Sequence, residues 1–368
     1  MSGIGIKEDL SRKKYVDSYD GFIELMSDER IQLPLREDEE YKLTLENLFE
    51  YYCMKVSKVL SEKQVNSMRM ICDIILQIID EDNDSAFQRF ERLMNIDIFT
   101  SNLHIIEDEL PIDGYGRTNI NLFRLRRVIE NKNYKRIDIF HEPKTDKLYE
   151  NSRPYRYNLE YRPSLYLAST VYCCKEELGV EGNKDMVIGS MMRLDSKADK
   201  KLYIVDLGNR PIDYVKANNK YKKANIGYSQ HNYMFIYPFI AACSVVVPNK
   251  KKRNIIEYKL TQILYRWLVK YHEDKLCGIR YFSCYDGCYK MVDKKNKYIF
   301  ERDSKTSFTK YFINYAFPIS KSVDDSGYCN RLKETFIISN PKFIKDYATI
   351  KRYEEELKYN TTLTRVDK

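Results

Sequence analysis

The residues best suited to chemistry crowd into one stretch, Arg153 to Gly179, which reads RPYRYNLEYRPSLYLASTVYCCKEELG. Arginine is always charged and grips phosphate or carboxylate oxygens with a planar fork. Tyrosine offers an apolar face with a polar tip, and Glu176 and Glu177 add carboxylates close by. Arginines, a strand tyrosine and a carboxylate at the edge of a core are what an anionic or sugar-bearing ligand would require. Arg124 and Arg126 fall in LFRLRRV (Leu122 to Val128), where strand alternation gives them one face and Phe123 and Leu125 the other. Taken alone, that face is equally well a solvated strand surface.

The elements that must position these groups follow from local pattern. Pro163 to Ala168 is a short apolar run bounded by a proline and by Ser169-Thr170, which predicts a buried strand. Ser169 or Thr170 can then cap a short helix that Gly179 ends. On that helix Val171, Cys174 and Leu178 share a core-facing stripe. At about 100° per residue, Glu177 flanks the stripe and Glu176 points away from it. IDIFHEP (Ile137 to Pro143) reads as a strand ending at a proline, and KLYIVDLG (Lys201 to Gly208) as a buried strand ending in a turn. Met234 to Val247 fits a strand and a helix equally. Asn254 to Tyr271 is a helix with Tyr258, Leu260, Ile263, Leu264, Trp267 and Tyr271 on one broad face, Trp267 as core. GIRYFSC (Gly278 to Cys284) is a strand in which Ile279, Tyr281 and Ser283 share a face. Beyond Tyr311 the signals are mixed and end in a charged helix.

The first part of the chain carries helical stripes instead of chemistry. Leu45, Leu48, Phe49, Tyr52, Val56, Val59 and Leu60 follow one. Ser61 with Gln64 makes a capping-box signal for a second helix with Val65, Met68, Cys72, Ile75, Leu76 and Ile79 inward. Asp82 to Asp84 breaks it, and Ala86 to Met94 forms a third. The four histidines stand apart from one another in sequence. A pattern shift near residues 110–120 sets the expected division: a helical accessory region at 1–115, then a catalytic domain at 116–368.

Composition narrows the class. The 368 residues, 43% hydrophobic, suit two domains or one with a sizeable extension. The formal charge of +8 comes from 62 basic residues scattered among 54 acidic ones, so nucleic acid is not the expected partner. The Asn249 to Arg253 cluster reads as a solvated loop. The 32 tyrosines, beside abundant Lys, Asn and Ile, reflect a bias of composition. Nine cysteines at irregular spacing, with no secretory leader read at the N-terminus, point to free thiols in a reducing compartment. Cys277, Cys284 and Cys288 lack a matching second pair or a nearby histidine, so no metal is expected. No apolar run approaches the ~20 residues that span a bilayer. A soluble, cytoplasmic protein away from membranes is the expectation.

Six segments in order resemble the RES family, named for an Arg, a Glu and a Ser. They are the Arg-x-Arg strand at Arg124, FHEP at Phe140, RYNLEYRPSLYLASTVYCCKEEL, FIYPFIAACSVVV, EYKLTQILYRWL and GIRYFSC. The likeness covers about residues 122–284 and is closest to long stand-alone members. It departs at Tyr161-Arg162, where the family usually has a glycine, and at Lys175-Glu176-Glu177, where it tends to Trp-Glu-Glu. The resemblance implies an α+β fold: an ADP-ribosyltransferase-like split antiparallel β core with flanking helices, preceded here by the N-terminal helical region. It implies NAD as substrate, a toxin of a toxin–antitoxin pair, and catalytic roles for Glu177, Arg124 and Ser283. Arg156 and Tyr166 would bind substrate, with Arg126 in second rank.

In that reading, cleavage of the nicotinamide–ribose bond releases a neutral leaving group and puts positive charge on the ribose. Glu177 would stabilise that charge and hold a ribose hydroxyl. Arg124 and Arg156 would hold the pyrophosphate, Tyr166 would pack the nicotinamide or ribose, and Ser283 would bond a ribose or phosphate oxygen. Water or inorganic phosphate would be the nucleophile, and an antitoxin or regulatory protein would dock on the N-terminal helices. Two rival readings stay open: ADP-ribosyl transfer to a protein or nucleic acid, and a catalytically silent basic module that meets nucleic acid through Lys250 to Arg253.

Overall fold

The computed structural model describes residues 20–36, 40–107, 121–128, 133–141, 155–158, 163–179, 186–198, 202–213, 230–247, 255–284, 312–319, 323–344 and 362–366. The turn at Tyr161-Arg162, the Asn249 to Arg253 cluster, Cys288 and the charged segment before Leu363 lie outside them. The chain groups into two compact units: Met1–Leu103 with Arg210–Val247, and His104–Asn209 with Pro248–Lys368. The first unit thus also takes in a stretch that pattern alone placed in the later domain.

The first unit is helical for the reason its stripes give. Helices α1 (Tyr41–Val56), α2 (Glu62–Asp80), α3 (Asn83–Met94) and α4 (Asp97–Thr100) each turn apolar residues inward. Ser61 opens α2, its N–H donating to Gln64 Oε1 at 3.0 Å. Asp82 caps α3 by accepting from the Asp84 and Ser85 N–H groups. Among them lies a further helix, Gln230–Ala242, in which every residue from Tyr233 to Ala242 other than Pro238 is a buried apolar side chain. This resolves the strand-or-helix ambiguity of Met234 to Val247: a helix apolar all round has no stripe to read, and only Val245–Val246 is extended, pairing in parallel with Leu35–Arg36. Pro238 has no N–H for the carbonyl four residues back, and the Tyr52 hydroxyl donates to that Met234 carbonyl at 3.0 Å instead. Tyr41 does the same for the Ala242 carbonyl at 2.8 Å.

The second unit is built on a ten-stranded sheet. In chain order its strands are β1 (Ile105–Ile106), β2 (Leu122–Arg127), β3 (Ser164–Ala168), β4 (Val187–Leu194), β5 (Leu202–Leu207), β6 (Leu276–Phe282), β7 (Ile313–Pro318), β8 (Phe336–Ser339), β9 (Lys342–Ile344) and β10 (Leu363–Arg365). The spatial order is β10-β8-β4-β2-β3-β7-β6-β5-β1, with β9 also on β4. Its pairs are antiparallel except β5 with β6. One parallel pair thus stands within a sheet that is otherwise antiparallel. The chain is thus a mixed α and β protein of α+β character. Between β2 and β3 only Phe123 and Ala168 pair, whereas β2 runs in register with β4 from Leu122 to Arg127. The two halves of the sheet therefore meet at a single rung.

Helices α5 (Arg136–Ile139), α6 (Val171–Leu178) and α7 (Lys259–Tyr271) belong to this unit. The first corrects a sequence expectation, since Ile137 to Pro143 reads as a strand. Asp138 accepts from the Lys135 N–H at 2.7 Å and closes a short helical turn, a local bond that outweighs four residues of alternation. His141 follows, fully buried, its Nε2 accepting from the Cys329 N–H at 2.9 Å. Beyond Tyr311 the described residues form β7 to β10 and a short helix, Asn330–Thr335.

Candidate active site

The site grows from the β3–α6 unit. Thr170 caps α6 by accepting from the Cys173 N–H at 3.0 Å. Gly179 ends the helix in the left-handed region at φ 60°, as an αL cap requires. Val171, Cys173 and Cys174 pack with Phe123, Leu125 and Ala168 of the sheet. That fixes the helix phase and decides between the two glutamates. Glu176 turns toward Lys175 Nζ, 3.8 Å away. Glu177 turns to the sheet, where its Oε1 accepts from Ser283 Oγ at 2.5 Å and from Asn314 Nδ2 at 3.0 Å.

Both donors are set by strand geometry. Ser283 follows β6, fully buried, with its N–H on the Phe312 carbonyl at 2.7 Å. Tyr281 pairs in register with Asn314, so alternation brings Ser283, Tyr281 and Asn314 to the face that α6 covers. Asn314, only 4% exposed, also accepts at Oδ1 from the Cys173 thiol at 3.3 Å. Cys173 and Glu177 are one helical turn apart and face it together. Both donors converge on Oε1, so among the described residues Oε2 carries no hydrogen bond.

Residues 155–158 add cationic and aromatic groups. Ser164 Oγ donates to the Tyr157 carbonyl at 2.7 Å, and Tyr157 N–H donates to Tyr166 Oη at 3.2 Å, so this turn is tied to β3. The Arg156 guanidinium lies 4.9 Å over the Tyr258 ring, a cation–π contact. Burial opposes its charge, yet Cys284, Tyr258, Tyr157 and Tyr281 around it hold its pKa above the ordinary arginine value. The Tyr157 and Tyr281 rings meet in a tilted pair, centroids 4.3 Å apart and planes at 46°. Burial drives the Tyr281 phenol far up, with Glu177 adding to it and Arg156 opposing. Tyr258 is raised by burial as well, with Arg156 and Glu177 again acting in opposite senses. The carboxylate and the guanidinium therefore address the same two phenols. Burial also pushes the Tyr166 phenol well up. Tyr155, 60% exposed, meets the Tyr166 ring edge-on at 6.5 Å.

The structure thus gathers Glu177, Ser283, Arg156 and Tyr166. Arg124 and Arg126 it places differently. Phe123 and Leu125 pack against α6, so alternation directs both arginines to the other face of the sheet. Arg124 reaches the Tyr166 carbonyl with Nη1 at 2.9 Å, beside the single rung joining β2 to β3. Arg126 stands opposite Ile188 in β4, on the face away from Glu177.

That other face carries a network of its own. Arg280 Nη1 meets Asp206 Oδ1 at 2.6 Å, the Gly208 N–H donates to the same oxygen at 2.8 Å, and His104 Nδ1 lies 3.1 Å from Oδ2. Burial would raise the Asp206 carboxyl, but Arg280 and His104 hold it down at about 2. A Cβ at Gly208 would lie 2.4 Å from Arg280 Nη1, so a side chain there would have to push the guanidinium from its place on Asp206.

Sequence reasoning missed Asn314, Cys173, Tyr157 and Tyr258 as members of the site. For Asn314 a signal existed: it is the one amide in the apolar run FINYAFP, Phe312 to Pro318, and a buried amide needs partners. Among the described residues no three or more His, Cys, Asp or Glu gather to hold a metal. No helix among them is long and apolar enough to cross a membrane.

Among curated proteins, the chain is similar to one named "Putative toxin YopC", from Bacillus subtilis (strain 168). The two are 26% identical over 330 residues, covering 85% of this chain and 68% of that protein. No family model matches the chain, and no solved structure matches it.

Proposed function

We propose that the chain cleaves the nicotinamide–ribose bond of NAD, with water or inorganic phosphate as nucleophile, and acts as a toxin. One observation carries the reading: a carboxylate with one oxygen pinned by two donors and the other without a hydrogen bond among the described residues, beside an arginine ringed by tyrosines. Leaving-group departure puts positive charge on the ribose, and a carboxylate already fixed in place stabilises it without reorganising. Glu177 is that group, its Oε2 turned to the ribose. Arg156 holds the pyrophosphate, the tyrosines pack the rings, and Ser283 acts through Glu177. Arg124 braces the Tyr166 strand, and Arg126 has no part in this arrangement. The ordered segments shared with the RES family support the reaction, and the likeness to a protein named as a toxin supports the role. The N-terminal helices are the proposed docking surface for an antitoxin.

The test is incubation of purified protein with NAD, with and without phosphate, following nicotinamide release. Release in either condition supports the reading, and the ADP-ribose product names the nucleophile. Label from NAD appearing on a macromolecule would instead establish ADP-ribosyl transfer. No release from folded, ligand-free protein overturns the reading.

A further inference from the structure

We propose that Asn314, oriented by the Cys173 thiol, is the positioning residue that aims Glu177. The inference rests on the reading that Glu177 acts on the substrate, and it adds two residues to which the resemblance assigns no role: Cys173, within the longest shared segment, and Asn314, outside all six. An amide presents an acceptor on one side and donors on the other, and its partners decide which way it faces. A thiol at 3.3 Å donates to the amide oxygen. This leaves the Nδ2 donors turned to Glu177 Oε1, 3.0 Å away. The reversed amide would set a carbonyl oxygen against the carboxylate and leave the thiol facing a donor. Cys173 and Glu177 lie one turn apart on α6 and Asn314 bridges them from β7, so one residue reads the helix at two points.

What this adds to Ser283 is direction. A serine hydroxyl rotates about its Cβ–Oγ bond, so alone it would let the carboxylate swing. The planar amide, held at its far end, cannot follow such a swing. One donor just past β6 and one within β7, both on Oε1, then fix the carboxylate plane and leave Oε2 for the substrate. Burying an amide at 4% exposure is costly unless it is fully bonded, so the partnership also holds Asn314 in place. Hydrogen bonds to a charged group, when made in advance of reaction, lower the barrier without tightening substrate binding.

The experiment measures kcat and KM for NAD in Asn314→Leu, Cys173→Ser and Cys173→Ala, and in Asn314→Leu combined with Glu177→Gln. The expected loss for Asn314→Leu is roughly thirtyfold in kcat, with KM little changed. In the Glu177→Gln background the same change costs no further kcat, because the carboxylate that Asn314 aims is no longer there. Cys173→Ser, which keeps a donor, retains activity, while Cys173→Ala loses part of it. Equal losses in both backgrounds would mean a merely structural role and overturn the proposal. A reading independent of turnover is the side-chain amide proton resonance of Asn314. It should lie downfield in the native protein and move upfield in Glu177→Gln, and an unmoved resonance refutes the clamp even if Asn314→Leu fails to fold. A moved resonance without NAD cleavage keeps the clamp and sinks the proposed substrate.

Discussion

Replacing Glu177 by Gln perturbs the chemistry and almost nothing else. The amide oxygen of Gln can still accept from Ser283 Oγ and Asn314 Nδ2, the two donors that meet Oε1. The fold therefore loses no bond, and Tm should stay within a few degrees. What changes is the other terminus: a charged acceptor becomes a neutral donor where positive charge would develop. One preorganised electrostatic contact is worth ~3 kcal/mol, or roughly a hundredfold in kcat or more. The assay is the initial rate of nicotinamide release, with thermal unfolding in parallel. Glu176→Gln is the control, since Glu176 faces Lys175 instead of the sheet, and its rate should stay within about twofold of native. A Glu177→Gln rate close to native, or an equal loss at Glu176, would refute the assignment and the helix phase behind it.

Arg156→Lys keeps the charge but loses the planar fork over the Tyr258 ring. It should raise KM for NAD about tenfold, and an unchanged KM would remove Arg156 from the pyrophosphate. Asp206 is held at about 2 against an ordinary 3.8, so its contribution to stability is present above pH ~4 and lost as pH falls toward 2, roughly 2 kcal/mol in all. Asp206→Asn should remove that acid limb from a denaturation series and, by stranding Arg280, cost about 3–5 kcal/mol at neutral pH. An acid limb that survives in Asp206→Asn would place the titration elsewhere. Gly179→Ala forces a Cβ into the left-handed conformation at φ 60° and should destabilise by about 1–2 kcal/mol, seen in urea midpoints.

Local signals were legible where a short stretch decides its own structure. Pro163, the Ser169-Thr170 pair and Gly179 bracket a strand and a helix, and each bracket is a cap or a break with a physical cause. Glu177 could be preferred over Glu176 because helix phase is local too. Alternation likewise put Ser283 and Tyr281 on one face, and Arg124 and Arg126 together on a face. What alternation cannot tell is which face lies toward α6. That depends on the packing of Phe123 and Leu125 beneath Val171 and Cys173, a contact between elements some fifty residues apart in sequence. Asn314 stayed hidden for the same reason, since its partners Cys173 and Glu177 lie more than a hundred residues earlier. Ile137 to Phe140 misled in the opposite direction: alternation was present, and one side-chain bond from Asp138 overrode it.

Alternation also explains why two carboxylates of this unit differ in use. Arg280 and Tyr281 are neighbours in β6, so their side chains leave the sheet on opposite faces. The Arg280 face holds Asp206, whose oxygens take Arg280 and the Gly208 N–H on one side and His104 on the other. Both oxygens are spent and a cation sits on one of them, which keeps the group ionised and closed to ligands. The Tyr281 face holds Glu177, with neutral donors gathered on a single oxygen and Arg156 acting from across the tyrosines. A carboxylate locked by a cation is suited to stiffening a sheet, because nothing remains for a substrate to bond. One aimed by neutral donors keeps its charge unspent until positive charge forms beside it. The same strand thus turns one face to the Asp206 brace and the other to the carboxylate proposed to react.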